Sequence, residues 1–332
     1  MACISSLVTC YPSLVTHKRM KTITILVPAY NEEEALPLFY AEISRLAESL
    51  TSYAWDLLFV DDGSTDGTAD ALRRLREADT RVRYLRLSRN FGKENAMLAG
   101  FDYAEGDATI VMDCDLQDPV DVIPQMLQAW EEGFEDVYAR RVTRGREPLL
   151  RKWLTRAYYA LLQRSSRFDV LPNVGDFRLL DRRCVVALRS LRETQRYTKG
   201  LFCWIGFRKK EVLFHRADRR TGHSSFSYAS LMRLALDGLT SFTTAPLRLS
   251  MLCGVLVSLA AFVYLVYVVA KTLIFGEPVQ GYPTLVTLIL FLGGMQLLAL
   301  GIIGEYVARI YNEAKQRPVY LAESLNGEPV NI

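Results

Sequence analysis

Two uncharged stretches near the carboxyl end constrain this chain more than any other feature. Leu249 to Ala270 runs for 22 residues without a charged side chain, bounded by Arg248 and Lys271. Pro278 to Gly304 is uncharged again, with a dense apolar core from Leu285 to Ile303. At a rise of 1.5 Å per residue, a helix of 22 residues covers about 33 Å, enough for a hydrocarbon core of about 30 Å. Buried helices of a soluble protein rarely stay free of charge for so long. The short connection "KTLIFGEPVQGYP" joins the segments into a transmembrane hairpin (residues 247–305, spans 249–271 and 283–304). Gln296, a lone polar side chain in the second span, is expected to hydrogen-bond across the hairpin. Arg233 and Arg248 precede the hairpin and Arg309, Lys315 and Arg317 follow it, whereas the connecting loop has Lys271 alone. The positive-inside rule then puts both ends, and the large amino-terminal part, in the cytosol.

The net charge of +3 over 332 residues does not suggest a nucleic-acid partner. The charge is unevenly placed, however. Between Arg140 and Arg164, eight basic residues face one acid, Glu147, a pattern that suits phosphates or an anionic membrane surface. The six cysteines show no CxxC spacing and the three histidines are scattered, which argues against structural zinc and for reduced cytosolic thiols. Residues 1–20 lack the continuous apolar run of a signal peptide and read as a disordered extension before the first strand.

From residue 21 to 228 the pattern is that of a cytosolic α/β domain. "TITILVPA" is a continuous apolar strand, followed by the acid-rich "NEEEALPLFYAEISRLAESL", a helix with carboxylates in its first turn. "WDLLFVDD", "RVRYLRLS" and "DATIVMD" are further strands, separated by the helices "GSTDGTADALRRLREA" and "KENAMLAGFDYAEG". Such alternation predicts a mostly parallel, Rossmann-like sheet covered on both faces, with ligands beyond the carboxyl ends of its strands. The polar clusters "PAYNE", "DDGS" and "DCDLQD" all fall at strand ends, so they converge on one edge.

No GxGxxG follows the first strand and no GxxxxGK[ST] occurs, so neither a dinucleotide fingerprint nor a Walker phosphate loop is present. The edge offers acids instead. Acids cannot meet a diphosphate directly, so a divalent cation must lie between them. Asp113 and Asp115, at alternate positions, suit Mg²⁺ or Mn²⁺ with hard oxygen ligands.

Together, "VPAYNEEEAL", "VDDGSTDGT", "RNFGKENAMLAG" and "MDCDLQDP" resemble the family 2 glycosyltransferases of the GT-A fold. "VGDFRLLDR", "KGLFCWIGF" and "GIIGEYVARIYNEAKQRPVY" are similar to the polyprenyl-phosphate glycosyltransferases, among them the bactoprenol glucosyltransferases and the dolichyl-phosphate mannose synthases. The resemblance implies a nucleotide-diphosphate sugar donor and a polyprenyl phosphate acceptor whose phosphate attacks the anomeric carbon with inversion. A UDP-sugar such as UDP-glucose and undecaprenyl phosphate are the expected pair, with GDP-mannose as the alternative donor. The metal would neutralise the leaving nucleoside diphosphate.

Carried over by position, Pro28, Tyr30 and Glu32 would contact the nucleotide, Asp61 the base or ribose, and Asn90 and Lys93 would wrap it. Asp113 would meet the donor as well as the metal, and Gln117 would be a third metal ligand beside Asp113 and Asp115. Asp115 and Asp176 are the expected catalytic residues, Asp176 standing where the family's base is usually placed, with Arg178 as its natural ion-pair partner. Asp62 and Ser64 would cap the turn after the second strand. A phosphate monoester, with a second pKa near 6, needs little proton removal, so Asp176 has orienting work open to it as well.

"PLLRKWLTRAYYALLQRSS" carries one apolar stripe opposite basic residues, so residues 146–166 read as an interfacial amphipathic helix, and 229–246 as a second. Arg141, Arg151 and Arg219 are the candidate ligands of the lipid phosphate, because planar guanidinium donors match phosphate oxygens. "GHSSFSY" departs from the family's "GxSKY", with Ser225 at the lysine position, and His223 is a candidate replacement. The tail, residues 306–332, is expected in the cytosol, its "RPVY" docking back onto the catalytic domain of this or a neighbouring subunit of a homo-oligomer. A processive polysaccharide synthase would carry QxxRW on an interfacial helix, which is absent, and two spans are too few for an export channel or a flippase. A non-catalytic nucleotide-sugar-binding membrane subunit is the reading from a different class, and the intact "DCD" and "GDFR" oppose it.

Overall fold

The structure is a computed structural model that describes residues 19–142, 163, 174–194, 196–214, 245–275 and 281–330. Residues 1–18 of the expected extension, nearly all of both interfacial helices, Arg151, Arg219, His223 and Ser225 lie outside the described residues.

The first half alternates as the apolar runs dictate: β1 (Lys21–Ala29), α1 (Ala35–Ser49), β2 (Tyr53–Asp61), α2 (Thr68–Ala78), β3 (Val82–Leu87), α3 (Lys93–Tyr103) and β4 (Ala108–Val111). β1 pairs in parallel with β2 and β4, and β2 with β3. Successive residues supply opposite faces. Ile23, Ile25 and Val27 of β1, with Leu57 and Phe59 of β2, pack under α1 through Leu36, Phe39 and Ile43. Leu26, Leu58 and Val60 face the other side and meet Met97 and Phe101 of α3. Close approach there requires Gly100, because a Cβ would sit 2.0 Å from Leu26 Cδ1. One boundary differs from the sequence reading. α1 begins at Ala35 with no acid in its first turn, so Glu32, Glu33 and Glu34 belong to the loop after β1.

The second half adds α4 (Ile123–Glu131), β5 (Asp136–Arg141), β6 (Val174–Asp181), α5 (Arg182–Ser190), α6 (Thr198–Trp204) and β7 (Lys209–Phe214). The sheet has nine strands in the order β7-β5-β6-β4-β1-β2-β3-β8-β9, the last two being β8 (Ala322–Leu325) and β9 (Glu328–Pro329). β6 runs antiparallel between β4 and β5, and β8 antiparallel on β3. β5 and β7 are parallel, with Arg141 opposite Phe214. Three chain passages therefore meet at one end of the sheet: the exit after β5, the entry into β6 and the exit after β7. That is also the end at which β1, β2 and β4 deliver their polar loops.

The uncharged stretches form α7 (Ala245–Phe275) and α8 (Tyr282–Ala314), which pack on each other. Their outer faces are apolar and exposed, through Leu256, Leu259 and Phe262 on one helix and Leu285, Ile289 and Leu297 on the other. By length and hydropathy, one segment among the described residues, Phe291–Ala314, suffices to cross a membrane, and none of it is buried; Leu252–Tyr264 is a shorter apolar stretch. Gln296 is exposed on α8.

The tail returns to the domain of the same chain. Glu313 accepts hydrogen bonds from the amide and hydroxyl of Thr194, both at 2.8 Å, and the Tyr320 hydroxyl donates to Asp102 at 2.6 Å. β8 and β9 then close as a hairpin through Asn326 and Gly327, both at positive φ (54° and 86°). Asn-Gly is the pair such a two-residue turn favours.

Candidate active site

The loops after β1 and β2 are laced together through their polar side chains. The amide of Asn31 donates to Ser64 Oγ, and its side-chain oxygen accepts from the amide of Thr65, each at 2.9 Å. The Glu32 amide donates to Thr68 Oγ1, and Glu33 accepts from the amide of Gly67. Tyr30 is left exposed at the rim, next to the end of β1 where Pro28 is buried. Asp61, fully buried, accepts from the Ser64 amide through Oδ1, while Oδ2 has no hydrogen-bond partner among the described residues and lies 3.7 Å from Arg86 Nε. Gly63 (φ +66°) is required in this turn, since a Cβ would meet the Arg89 backbone at 2.4 Å.

Asp62 has work of its own. Its two oxygens accept the amides of Phe91 and Gly92 at 2.7 and 2.8 Å, fixing the loop that leads into α3. Burial pushes its carboxyl up against the pull of those two amides. Asn90, expected at the nucleotide, is exposed on this loop and accepts from the Gly92 amide at 3.0 Å.

Beyond β4, Cys114 is buried in the core at 2 % exposure, and Asp113 and Asp115 on either side of it reach the surface. Leu116 (φ 56°) and Asn31 (φ 56°) are left-handed without being glycine, and both sit in the loops that line this edge. Strain of that kind persists where the surroundings enforce it, often at functional sites. Gln117 is buried, and its backbone N–H donates to Asp115 Oδ1 at 3.1 Å. Burial, then the charge of Asp113, raises the Asp118 carboxyl to about 7.

β6 completes the site. The β4–β6 register pairs Val111 with Arg178, and two residues further each way brings Asp113 and Asp176 face to face. The Lys93 ammonium sits between them, 2.7 Å from Asp113 Oδ1, 2.9 Å from Asp113 Oδ2 and 2.9 Å from Asp176 Oδ2. Lys93, expected to wrap the nucleotide, thus has its contacts on the acids. Burial alone would raise Asp176, yet Lys93 and Lys199 outweigh it and hold the carboxyl down at about 2. The other oxygen, Asp176 Oδ1, is buried without a hydrogen-bond partner among the described residues.

Arg178 does not pair with Asp176 as the sequence suggested. It is buried at 1 %, reaches both oxygens of Asp136 on β5 at 3.2 Å, and lies 3.6 Å over the ring of Phe202 in α6. At the same sheet end, Arg140 pairs with Glu211 at 3.0 Å, and Arg141 has a buried Nε without a partner among the described residues.

Residues 24–188 match the family model for glycosyl transferase family 2, and residues 245–310 match the GtrB C-terminal hairpin. A bactoprenol glucosyl transferase of Shigella phage SfV is 42 % identical over 302 residues, covering 91 % of this chain and 98 % of the relative. The prophage bactoprenol glucosyl transferase homolog of Escherichia coli K12 is 42 % identical over 299 residues, 90 % of this chain and 97 % of the relative. The putative glycosyltransferase CsbB of Bacillus subtilis 168 is 41 % identical over 304 residues, 92 % of each chain. The chain belongs to glycosyltransferase family 2. Its fold is GT-A, with a GtrB-type C-terminal hairpin that associates the glycosyltransferase with a membrane.

In this glycosyltransferase no group of three or more His, Cys, Asp or Glu side chains converges as a metal cage among the described residues. The donors present are hard oxygens on two surface-reaching carboxylates, Asp113 and Asp115. That set fits Mg²⁺ or Mn²⁺ shared with a ligand's phosphates, the usual arrangement for a small hard cation that keeps part of its water. The expected third ligand, Gln117, is buried beside them, and its backbone N–H donates to Asp115.

Several residues that build the glycosyltransferase's site escaped the sequence reading. Glu94, beside Lys93, accepts the Thr198 amide at 2.9 Å across 104 positions, and burial followed by the charge of Asp176 raises its carboxyl. Lys199 adds its charge to the Asp176 side, and Asp136 anchors β6 through Arg178. The quoted motifs "GKE" and "KGLF" contain Glu94 and Lys199, so the signal was present without an assignment.

Proposed function

We propose that this enzyme transfers a glucosyl group, or a related hexosyl group, from a UDP-sugar to undecaprenyl phosphate on the cytosolic face of the membrane, with inversion. The observation that carries the reading is the meeting of Asp113 and Asp176 about the Lys93 ammonium, at the sheet end where the β4 loop also carries Asp115. The phage and prophage relatives, named as bactoprenol glucosyl transferases, favour glucose and bactoprenol as donor sugar and acceptor.

Pro28, Tyr30, Glu32, Asp61 and Asn90 line the nucleotide end. The orphaned Asp61 oxygen is an acceptor suited to an imide or ribose donor. A divalent cation on Asp113 and Asp115, with Gln117 beside them, supplies charge for the departing nucleoside diphosphate. Asp176 is ionised throughout the neutral range and so is a poor store for a proton. Its unpartnered oxygen can accept a hydroxyl of the sugar, and its paired oxygen holds Lys93. The acceptor phosphate is already ionised near neutrality and needs no base. Arg141 offers it a guanidinium nitrogen without a partner among the described residues, with Arg151 and Arg219 as further candidates by sequence.

The hairpin crosses the bilayer twice in this reading, with the domain and both helix ends in the cytosol. The contacts of Glu313 and Tyr320 with the catalytic domain support a return of α8 to that side.

Radiolabelled transfer from UDP-glucose, UDP-N-acetylglucosamine and GDP-mannose to undecaprenyl phosphate, in detergent with Mn²⁺ or Mg²⁺ and a chelator control, tests the proposal. A chelator-sensitive glucolipid is expected. Mannolipid from GDP-mannose alone would replace the donor, and no lipid product from any donor would defeat the acceptor assignment.

A further inference from the structure

We propose that Lys93 is an internal counter-cation that competes with the divalent ion for Asp113, and that it passes to Asp176 and the donor's diphosphate when that ion binds. The proposal rests on the metal site described above and concerns the chain's own response to it.

The ammonium is held by both oxygens of Asp113 and by one of Asp176, all within 2.9 Å. Its base is rigid. Lys93 opens α3 directly after Gly92, whose amide is clamped by Asp62, and Glu94 beyond it is tied to the Thr198 amide. The ammonium therefore reaches the acids from a fixed point.

A Mg²⁺ ion binds carboxylate oxygens at about 2.0–2.1 Å. On Asp113 it would share a carboxylate with an ammonium already 2.7 Å away. Two cations on one carboxylate repel each other even at the effective dielectric of a partly solvated site. Lys93 then gives up Asp113 and keeps Asp176 on the facing strand. The phosphates that arrive with the ion give the ammonium a new anionic partner, as lysine commonly serves phosphate as a point charge.

The two consequences have opposite signs. Without the ammonium, the free protein binds the ion more tightly, while transfer suffers because the diphosphate loses a cation. A lysine that only supported the fold would weaken both when removed.

Mn²⁺ binding by the full-length protein in detergent, followed by electron paramagnetic resonance without nucleotide, reads this directly. Lys93→Met is expected to bind Mn²⁺ about 5- to 50-fold more tightly, within the usual range of coupling between sites, with a lower transfer rate. Lys93→Arg keeps the charge and stays near the wild-type affinity. Lys21→Met, a control for net charge at the opposite end of the sheet where Lys21 pairs with Glu131, also leaves it unchanged. Equal or weaker Mn²⁺ binding by Lys93→Met, or no binding by either protein, overturns the proposal. Asp115→Asn with UDP present tests the metal site separately. Loss of Mn²⁺ there upholds that site whatever Lys93 does, and its retention removes both readings.

Discussion

Asp113 and Asp176 face each other across the end of the β4–β6 ladder, two residues beyond the Val111–Arg178 pair, with the Lys93 ammonium between them. A strand that ran parallel to β4 here would carry its motif in the opposite sense. The antiparallel insertion of β6 is what brings "GDFR" to "DCD".

Asp176 is held at about 2, so it carries its charge throughout the neutral range. Its pairing contributes stability in full above the ordinary carboxylate pKa of about 4 and loses it only as the pH falls toward 2. Asp176→Asn should therefore lower kcat by about 10²- to 10³-fold through lost electrostatic positioning without moving the acid limb of the pH–rate profile. That limb belongs to the acceptor phosphate, near pH 6. A profile measured on both proteins checks this, and disappearance of the limb in Asp176→Asn would make Asp176 the base after all.

Arg178 and Asp136 are a buried pair, at 1 % and 0 % exposure, and Arg178 stands two residues along β6 from Asp176. Removing one partner strands the other's charge in the core, at a cost of about 3–5 kcal/mol, whereas removing both can be close to neutral. Arg178→Met should thus melt far below the wild type, and Arg178→Met with Asp136→Leu should recover most of the difference. Thermal melts of the three proteins in one detergent decide it. A double variant as weak as the single would mean that the stack on Phe202 matters more than the charge pair.

Asp62 acts through the backbone. It holds the amides of Phe91 and Gly92 and so sets where Asn90 and Lys93 stand. Hydrogen bonds to a charged group contribute about 1.5–3 kcal/mol. Asp62→Ala should raise the KM for the donor about 10- to 100-fold by the same arithmetic, with a smaller change in kcat for whatever donor binds. A KM left at the wild-type value would make the clamp purely structural.

The first four strands were legible because their apolar residues supply both cores, and the site loops because the ends of β1, β2 and β4 broke into acids. Asp113 and Asp115 could be read from the alternation with Cys114. Other parts depend on contacts between distant positions. Arg178 lies 42 residues from Asp136, and no local spacing links them. The direction of β6 follows from its place between β4 and β5, which is set by tertiary pairing. Asp176 therefore looked like a neighbour for Arg178, although the two side chains answer to different partners. The helix start at Ala35 was misjudged because acids favour both a first turn and the loop before it.

The tail hairpin is the missed element that did announce itself, through Asn326 and Gly327. β8 covers the β3 edge and brings Glu323 to Arg86 at 3.2 Å, the arginine that also lies 3.7 Å from the orphaned oxygen of Asp61. Gly327 sits at φ +86°, and a Cβ on it would stand 3.0 Å from the Tyr84 hydroxyl oxygen. Gly327→Ala should cost about 1–2 kcal/mol locally and loosen β8 and β9 while β1 to β4 stay protected. Hydrogen exchange resolved by segment measures this: faster exchange confined to residues 320–330 is expected. With Arg86 released from Glu323 and left to Asp61 alone, the donor KM should rise in the same variant. An unchanged KM beside a frayed tail would separate the sheet edge from the nucleotide end of the site.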